Sequence, residues 1–336
     1  MRALTLVLFA ALAASATQCA SAPVDTGDET EDPIYGGSLD DSTNQAVVAL
    51  RIGQGAKAEL CSAAAIAPNV LLTARHCVST SLTKTVICNS KGASENGPHF
   101  GDDHPVSDIR VYTGAKPNFY GGVAAQVREI VRPDAPVVCN QDIALLILDR
   151  NRDVTPLPVR LARDVGVQES IRSVGYGKTD TGTTGTRLRK TGVVVRAVGP
   201  GLSSSETALG DHEFEVGVSI CHGDSGGPAI SQLTGAVIGV VSRGGEGGED
   251  FGHVYTETKG FTELIERAVQ KAGAAPAQPE TESLLPASTP AAKAPAANAD
   301  DKGGCAVGPS KTGQGHAASL AGGLLLGLAV VRRRRR

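Results

Sequence analysis

The sequence predicts an all-β fold of barrel or sandwich type, closed by one C-terminal helix, and three observations carry that prediction. The composition, with 41 Gly, 18 Pro, no Trp and 3% aromatics, suits many short strands joined by turns better than a bundle of long helices. Short apolar or alternating runs recur at residues 46–52, 63–72, 123–131, 143–148, 192–198 and 236–241, each broken by Gly, Pro, Asn or Asp. Residues 258–272 differ from these. There Phe261, Leu264, Ile265, Ala268 and Val269 recur at helical spacing with charges between them, the pattern of an amphipathic helix.

Taken in order, residues 1–16 read as an export signal. Arg2 gives a short basic start, an apolar stretch covers residues 4–12, and Ala14-Ser15-Ala16 is a small-x-small cleavage signature. The stretch is shorter than the roughly 20 residues that span a bilayer, which argues against a permanent anchor. Cys19 is set aside as a lipid-bearing cysteine because Gln18 sits where such signals want a small residue. Residues 17–33 are read as an acidic pro-segment, with Asp25, Asp28, Glu29, Glu31 and Asp32 crowded together and no apolar periodicity. The folded domain is expected over residues 34–272. Residues 273–302, rich in Ala, Pro, Thr, Glu and Asn, read as an extended linker. Residues 303–336 combine Gly303-Gly304-Cys305, an apolar stretch at 317–331 and five arginines from Arg332 to Arg336, the pattern of a membrane segment with its arginines held inside. This tail resembles the sorting signals of myxobacterial surface proteins, which implies processing at Cys305 and attachment to the outer surface, or release. The formal charge of -3, with Lys and Arg scattered outside the tail, gives no reason to expect nucleic acid as a partner.

Export makes disulfides possible. Five of the seven cysteines lie between signal and tail: Cys61, Cys77, Cys88, Cys139 and Cys221. An odd number leaves at least one unpaired or paired outside the set. The closely spaced Cys/His pairs of a zinc site do not occur, so no metal is expected, and no cofactor either.

Amide hydrolysis by serine needs a hydroxyl activated by a base, the base oriented by a buried acid, and donors aimed at the developing oxyanion. The segment Gly223-Asp224-Ser225-Gly226-Gly227-Pro228 sets Ser225 among glycines, where the backbone turns tightly and presents its N–H groups. Ser225 is the candidate nucleophile, and the N–H groups of Gly223 and Ser225 are the candidate oxyanion hole. In Thr73-Ala74-Arg75-His76-Cys77, His76 follows an apolar strand and is the candidate base. Asp142, in Gln141-Asp142-Ile143-Ala144-Leu145-Leu146, opens another apolar strand and is the candidate orienting acid. An esterase elbow matches Gly223 to Gly227 superficially, but such enzymes keep the order Ser, acid, His on an α/β sheet.

The order His, Asp, Ser and these strings resemble the trypsin/chymotrypsin family, over residues 34–272. The resemblance implies two antiparallel β-barrels with the active site in the cleft between them. It also implies peptide-bond hydrolysis through an acyl-enzyme, with proteins or peptides as substrates. It pairs Cys61 with Cys77 beside His76; Cys88 with Cys139 is suggested as the second bridge, and Cys221, whose usual partner is absent, is expected to be unpaired. Ile34-Tyr35-Gly36-Gly37 looks like the family's mature N-terminus, whose freed ammonium inserts beside the aspartate before the nucleophile, here Asp224. Pro33 stands where trypsin-activated relatives have Arg or Lys, so another protease is expected to cut. Ser242-Arg243-Gly244 resembles the strand that pairs with substrate backbone, with the Ser242 hydroxyl near Asp142. Ser219 corresponds to the floor of the primary pocket, and a serine there argues against an Arg or Lys preference. His253 falls at a pocket wall usually held by glycine, where it narrows the pocket for small apolar side chains or helps bind an acidic one. His222 is expected to line the entrance. Arg75 takes the place of a small residue, its bulk crowding the base unless the side chain reaches solvent. His99, His104 and His212 are expected in loops. The alternative function is a noncatalytic binding module of the same fold; such relatives usually lose a triad residue, and this chain keeps all three.

Overall fold

The structure, a computed structural model, describes residues 34, 37–40, 42–178, 184–244, 252–275 and 277–281. The export signal, the acidic segment and the membrane-type tail lie outside the described residues, as does the linker beyond residue 281. Within the described residues no helix is long and apolar enough to cross a membrane.

Six strands form a first closed barrel: β1 (Val47–Ile52), β2 (Glu59–Ala67), β3 (Val70–Thr73), β4 (Ile109–Tyr112), β5 (Ala125–Val131) and β6 (Ala144–Leu148). Their order around the barrel is β1-β2-β3-β6-β5-β4, and β4 pairs back onto β1. Six more form the second: β7 (Ser170–Gly175), β8 (Leu188–Val198), β9 (Glu213–Val216), β10 (Pro228–Ser231), β11 (Val237–Arg243) and β12 (His253–Glu257). Pairing of β8 with β9 closes this ring in the order β7-β8-β9-β12-β11-β10, which repeats the first barrel's connectivity. All these ladders are antiparallel, and closure leaves neither ring an unpaired edge. The short strand Ser38–Leu39 adds to β8.

Alternation along the strands decides what each face covers. In β1, Val48, Leu50 and Ile52 point into the first barrel, while Val47 and Ala49 meet Val174, Tyr176 and Ile230 of the second. In β6, Ala144, Leu146 and Leu148 fill the barrel, and Leu145 and Ile147 face outward under a helix. Both faces of these strands are therefore buried, which is why the sequence shows continuous apolar runs there. The covering helix is α1 (Thr262–Lys271), entered through the 3₁₀ turn Lys259–Phe261, with Leu264, Ile265, Ala268 and Val269 buried. Burying each of the larger aliphatic side chains on that face contributes about 1.5–3 kcal/mol.

The fold continues beyond residue 272, where composition placed the start of the linker. Val159 N–H donates to Gln278 O at 2.9 Å and Glu280 N–H to Val159 O at 3.1 Å. The Glu280 carboxylate accepts from Arg160 Nε and Nη2, from Arg163 and from Thr234 Oγ1. Arg160 is fully buried and would otherwise have Glu169 as its one carboxylate partner. Among alanines and prolines, a single glutamate that carries this much of the docking leaves no compositional trace.

Among the described residues there are two disulfides, Cys61–Cys77 and Cys88–Cys139, the pairs expected from the sequence. Cys221 is free.

Candidate active site

His76 sits in the one-turn 3₁₀ helix Arg75–Cys77 directly after β3, and the Cys61–Cys77 disulfide ties that turn to β2. Asp142, fully buried, lies two residues before β6, the strand that pairs with β3, so two neighbouring strand ends bring the residues together. Asp142 Oδ1 accepts from the His76 backbone N–H at 2.9 Å, and Asp142 Oδ2 lies 2.8 Å from His76 Nδ1. A carboxylate can only accept, which places the imidazole proton on Nδ1 and leaves Nε2 with a free lone pair. A third bond comes from the other barrel: Ser242 Oγ, near the end of β11, donates to Asp142 Oδ2 at 2.7 Å. Burial opposes charge on both partners, but their mutual attraction and hydrogen bonds outweigh it. His76 is held above its ordinary pKa and Asp142 below its own, the Ser242 bond adding to the latter.

Ser225 lies in the turn before β10 and is partly exposed, as is His76. No hydrogen bond joins their side chains among the described residues. The turn is fixed through Ser62, a fully buried residue of β2 that the sequence reading did not single out. Ser62 N–H donates to Ser225 O at 2.8 Å, and Ser62 Oγ donates to Gly223 O at 2.9 Å while accepting from Tyr176 N–H at 3.0 Å. With both carbonyls held on the β2 side, the N–H groups of Asp224, Gly226 and Gly227 are bonded to Cys221 O, Val241 O and Asp224 O, and among the described residues those of Gly223 and Ser225 have no backbone acceptor. Gly223 has φ 101°, which a residue with a Cβ disfavours. The carboxylate of Asp224 is buried between Gly175 and Gly177, where a Cβ on either would come within 2.2–2.3 Å of it. It accepts from Gly177 N–H at 2.7 Å and from Cys221 N–H at 2.9 Å. Burial pushes its pKa up to about 7 against those two bonds. Ile34, fully buried, has φ 53°, a left-handed value unusual for a β-branched residue. Preceded by Pro33, its nitrogen is an amide and carries no charge.

Ser219 is fully buried, its hydroxyl 3.3 Å from Tyr255 Oη, which in turn lies 2.8 Å from Ser173 Oγ. The sequence reading missed Tyr255; its place two residues after His253 on one strand face was the available signal. His253 is fully buried in β12, opposite Val216 of β9. Arg243 at the end of β11 pairs with the buried carboxylate of Glu213, whose Oε1 also accepts from Asn140 N–H at 2.8 Å. Gly244 and His222 are exposed.

Arg75 departs from both alternatives considered for it. Its side chain neither reaches solvent nor faces the base; it is buried with its guanidinium 4.8 Å over the Phe100 ring and Nη1 donating to Ala135 O. Burial, with Arg132 nearby, lowers its pKa to about 10. His99, expected as a plain loop residue, is in a loop but buried: Nδ1 accepts from Val138 N–H at 2.9 Å, and Nε2 donates to Asn96 Oδ1 at 2.8 Å. It braces the chain beside Cys139. His104 and His212 lie in partly exposed loops, His212 edge-on to Phe261. Ligand atoms of Cys61, His76 and Cys77 cluster within 4.8 Å, but the two sulfurs are bonded to each other and offer no thiolate to a metal.

Two six-stranded barrels of one connectivity, with a histidine–aspartate pair on the first facing a glycine-flanked serine turn on the second, define the chymotrypsin-like class of fold. A model of the Trypsin family matches residues 34–265, and the chain belongs to that family. The cercarial protease of Schistosoma mansoni is 28% identical over 209 residues, 55% of this chain and 70% of that protein. Among solved structures, the scabies mite inactivated protease paralogue S-D1 is similar with a TM-score of 0.53 at 16% identity, covering 72% of this chain and 99% of its own. That likeness is one of fold.

Proposed function

We propose that the protein is an exported serine endopeptidase whose triad is His76, Asp142 and Ser225. The observation that carries this reading is the buried Asp142 carboxylate, which accepts from His76 N–H, His76 Nδ1 and Ser242 Oγ and so fixes the tautomer a base needs. His76 Nε2 takes the Ser225 proton as Oγ attacks the scissile carbonyl. The oxyanion of the tetrahedral intermediate is met by the N–H groups of Gly223 and Ser225, a single such donor typically lowering the barrier by about 3–4 kcal/mol. Collapse gives the acyl-enzyme, with His76 returning the proton to the leaving amine, and water then reverses the sequence.

The hydroxyl-lined floor at Ser219 and Tyr255, with no carboxylate among their hydrogen-bond partners in the described residues, favours an uncharged or small side chain over Arg or Lys, and buried His253 narrows that wall. Ser242, Arg243 and Gly244 supply the edge for substrate backbone, and His222 flanks the entrance. Release of the Ile34 ammonium by a separate protease, followed by its pairing with Asp224, is the proposed activation. Residues 303–336 are proposed to hold the protein in a membrane, arginines inside, until processing at Cys305 attaches it to the cell surface or releases it.

Hydrolysis of casein and of a mixed-peptide library by protein cut to begin at Ile34, beside Ser225→Ala, tests the reading. Cleavage lost by about 10⁶-fold in the variant is expected, with products that do not end in Arg or Lys. A folded protein with a free Ile34 amine and no cleavage would transfer the assignment to a surface-displayed binding module.

A further inference from the structure

A cavity of about 530 Å³ opens beside the first barrel, between the chain leaving β4, the entry to β5 and the loop that follows β6. It is separate from His76, Asp142 and Ser225, none of which lines it. Two arginines do. Arg187 is fully buried and is held by Asp40, Nε to Oδ2 at 2.6 Å. Arg152 has no such carboxylate: its Nη1 is shut off from solvent and makes no hydrogen bond, and no ion pair engages its guanidinium among the described residues. Arg152 as a whole is half-buried, and a guanidinium cannot shed its charge, so the part withdrawn from water without an anion carries a desolvation cost, which lowers its pKa. Three more polar side chains on the same walls, Gln45, Thr113 and Asn151, are exposed at its mouth, with no protein hydrogen bond among the described residues. Asp153 also lies on the rim, but it is exposed and sits more than ion-pair distance from Arg152.

We infer that this cavity is a carboxylate-binding site, in which Arg152 grips the two oxygens of a carboxylate group and Gln45, Thr113 and Asn151 complete its hydrogen bonds. The fork of five donors on a planar guanidinium matches a carboxylate's two oxygens. Two sources present that group: a free organic acid, or an acidic side chain of the chain's own segment with Asp25, Asp28, Glu29, Glu31 and Asp32. The second source is within reach. Asp32 is eight residues from Asp40, a tether of roughly 28 Å at full extension, and Asp40 is bonded to Arg187 on the cavity wall.

The test compares the melting temperature of the full chain in sodium acetate and in sodium chloride at equal ionic strength. The comparison is repeated for Arg152→Gln and for a chain with the five acidic residues changed to their amides. If the occupant is a free acid, acetate raises the melting temperature of the unmodified chain and the response weakens about tenfold in concentration for Arg152→Gln, the loss expected for a hydrogen bond to a charged group. If the occupant is the chain's own segment, the unmodified chain is indifferent to acetate and the amide-substituted chain becomes responsive, again through Arg152. Either result supports the site. Indifference of both chains, or a response equal in Arg152→Gln, overturns it. Should Arg152→Gln not fold, the exposed pair Gln45→Ala and Asn151→Ala replaces it, and an undiminished response there overturns the site equally.

Discussion

At the scale of single residues, two carboxylates with opposite surroundings give opposite pH behaviour. Asp142 is bonded to an imidazole and held below its usual pKa, and His76 is correspondingly raised above 6.5. A base must be neutral to work, so kcat/KM is expected to fall as pH drops through a midpoint above 6.5. Asp142→Asn should move that midpoint down and cut kcat by about 10⁴-fold; a pH–rate profile of both forms checks this, and an unshifted midpoint would remove Asp142 from its role. Asp224 shows the reverse environment, buried between glycines with two backbone donors and no ion pair to a cation among the described residues. Its pKa near 7 means the folded, uncleaved chain holds a proton that the unfolded chain releases near pH 4. Stability of that chain should therefore fall as pH rises from about 4 to about 7, by as much as about 4 kcal/mol. Asp224→Asn should flatten this slope, measured by urea unfolding at each pH, whatever it does to the overall level.

At the scale of elements, the strap at residues 277–281 makes a claim of its own. The Glu280 carboxylate is driven down to about 2 because its bonds to Arg160, Thr234 and Arg163 outweigh burial. That lowered pKa contributes stability above about pH 4.5, lost as pH falls toward 2. Glu280→Gln, or a stop codon after residue 275, is expected to cost about 2–4 kcal/mol at neutral pH by leaving buried Arg160 with Glu169 alone. Thermal unfolding checks it, and a loss under about 0.5 kcal/mol would reduce the strap to a loose end of the linker. The helix before it was legible from its spacing of apolar residues, because its face is broad and its partner is a barrel wall. Docking of the strap rests on backbone bonds to Val159 and on one carboxylate meeting Arg160, Arg163 and Thr234, partners 46 to 120 positions earlier that no local pattern carries.

At the scale of the whole molecule, the two barrels are joined by more than apolar contact. Tyr176 follows the end of β7, yet its hydroxyl donates toward Val47 O and Gly114 O of the first barrel, at 3.2 and 2.8 Å, and its N–H is bonded to Ser62. The barrels are thus expected to unfold in one transition, and Tyr176→Phe to lower stability by about 1–3 kcal/mol without splitting it. Coincidence of fluorescence and far-ultraviolet dichroism during unfolding checks this. Strand runs, the closing helix, the glycine-framed serine and the histidine–aspartate–serine order were all written in the sequence, because turn chemistry, periodicity and motif spacing are local properties. Only the tertiary structure decided that Arg75 turns onto Phe100 and the Ala135 carbonyl, that His99 braces the Cys139 loop, that Ser62 locks the nucleophile turn and that Arg152 is left without an anion. Each of these depends on which distant backbone carbonyl, ring or carboxylate the fold brings within a few ångströms, and closure of a barrel, not sequence neighbourhood, sets that meeting.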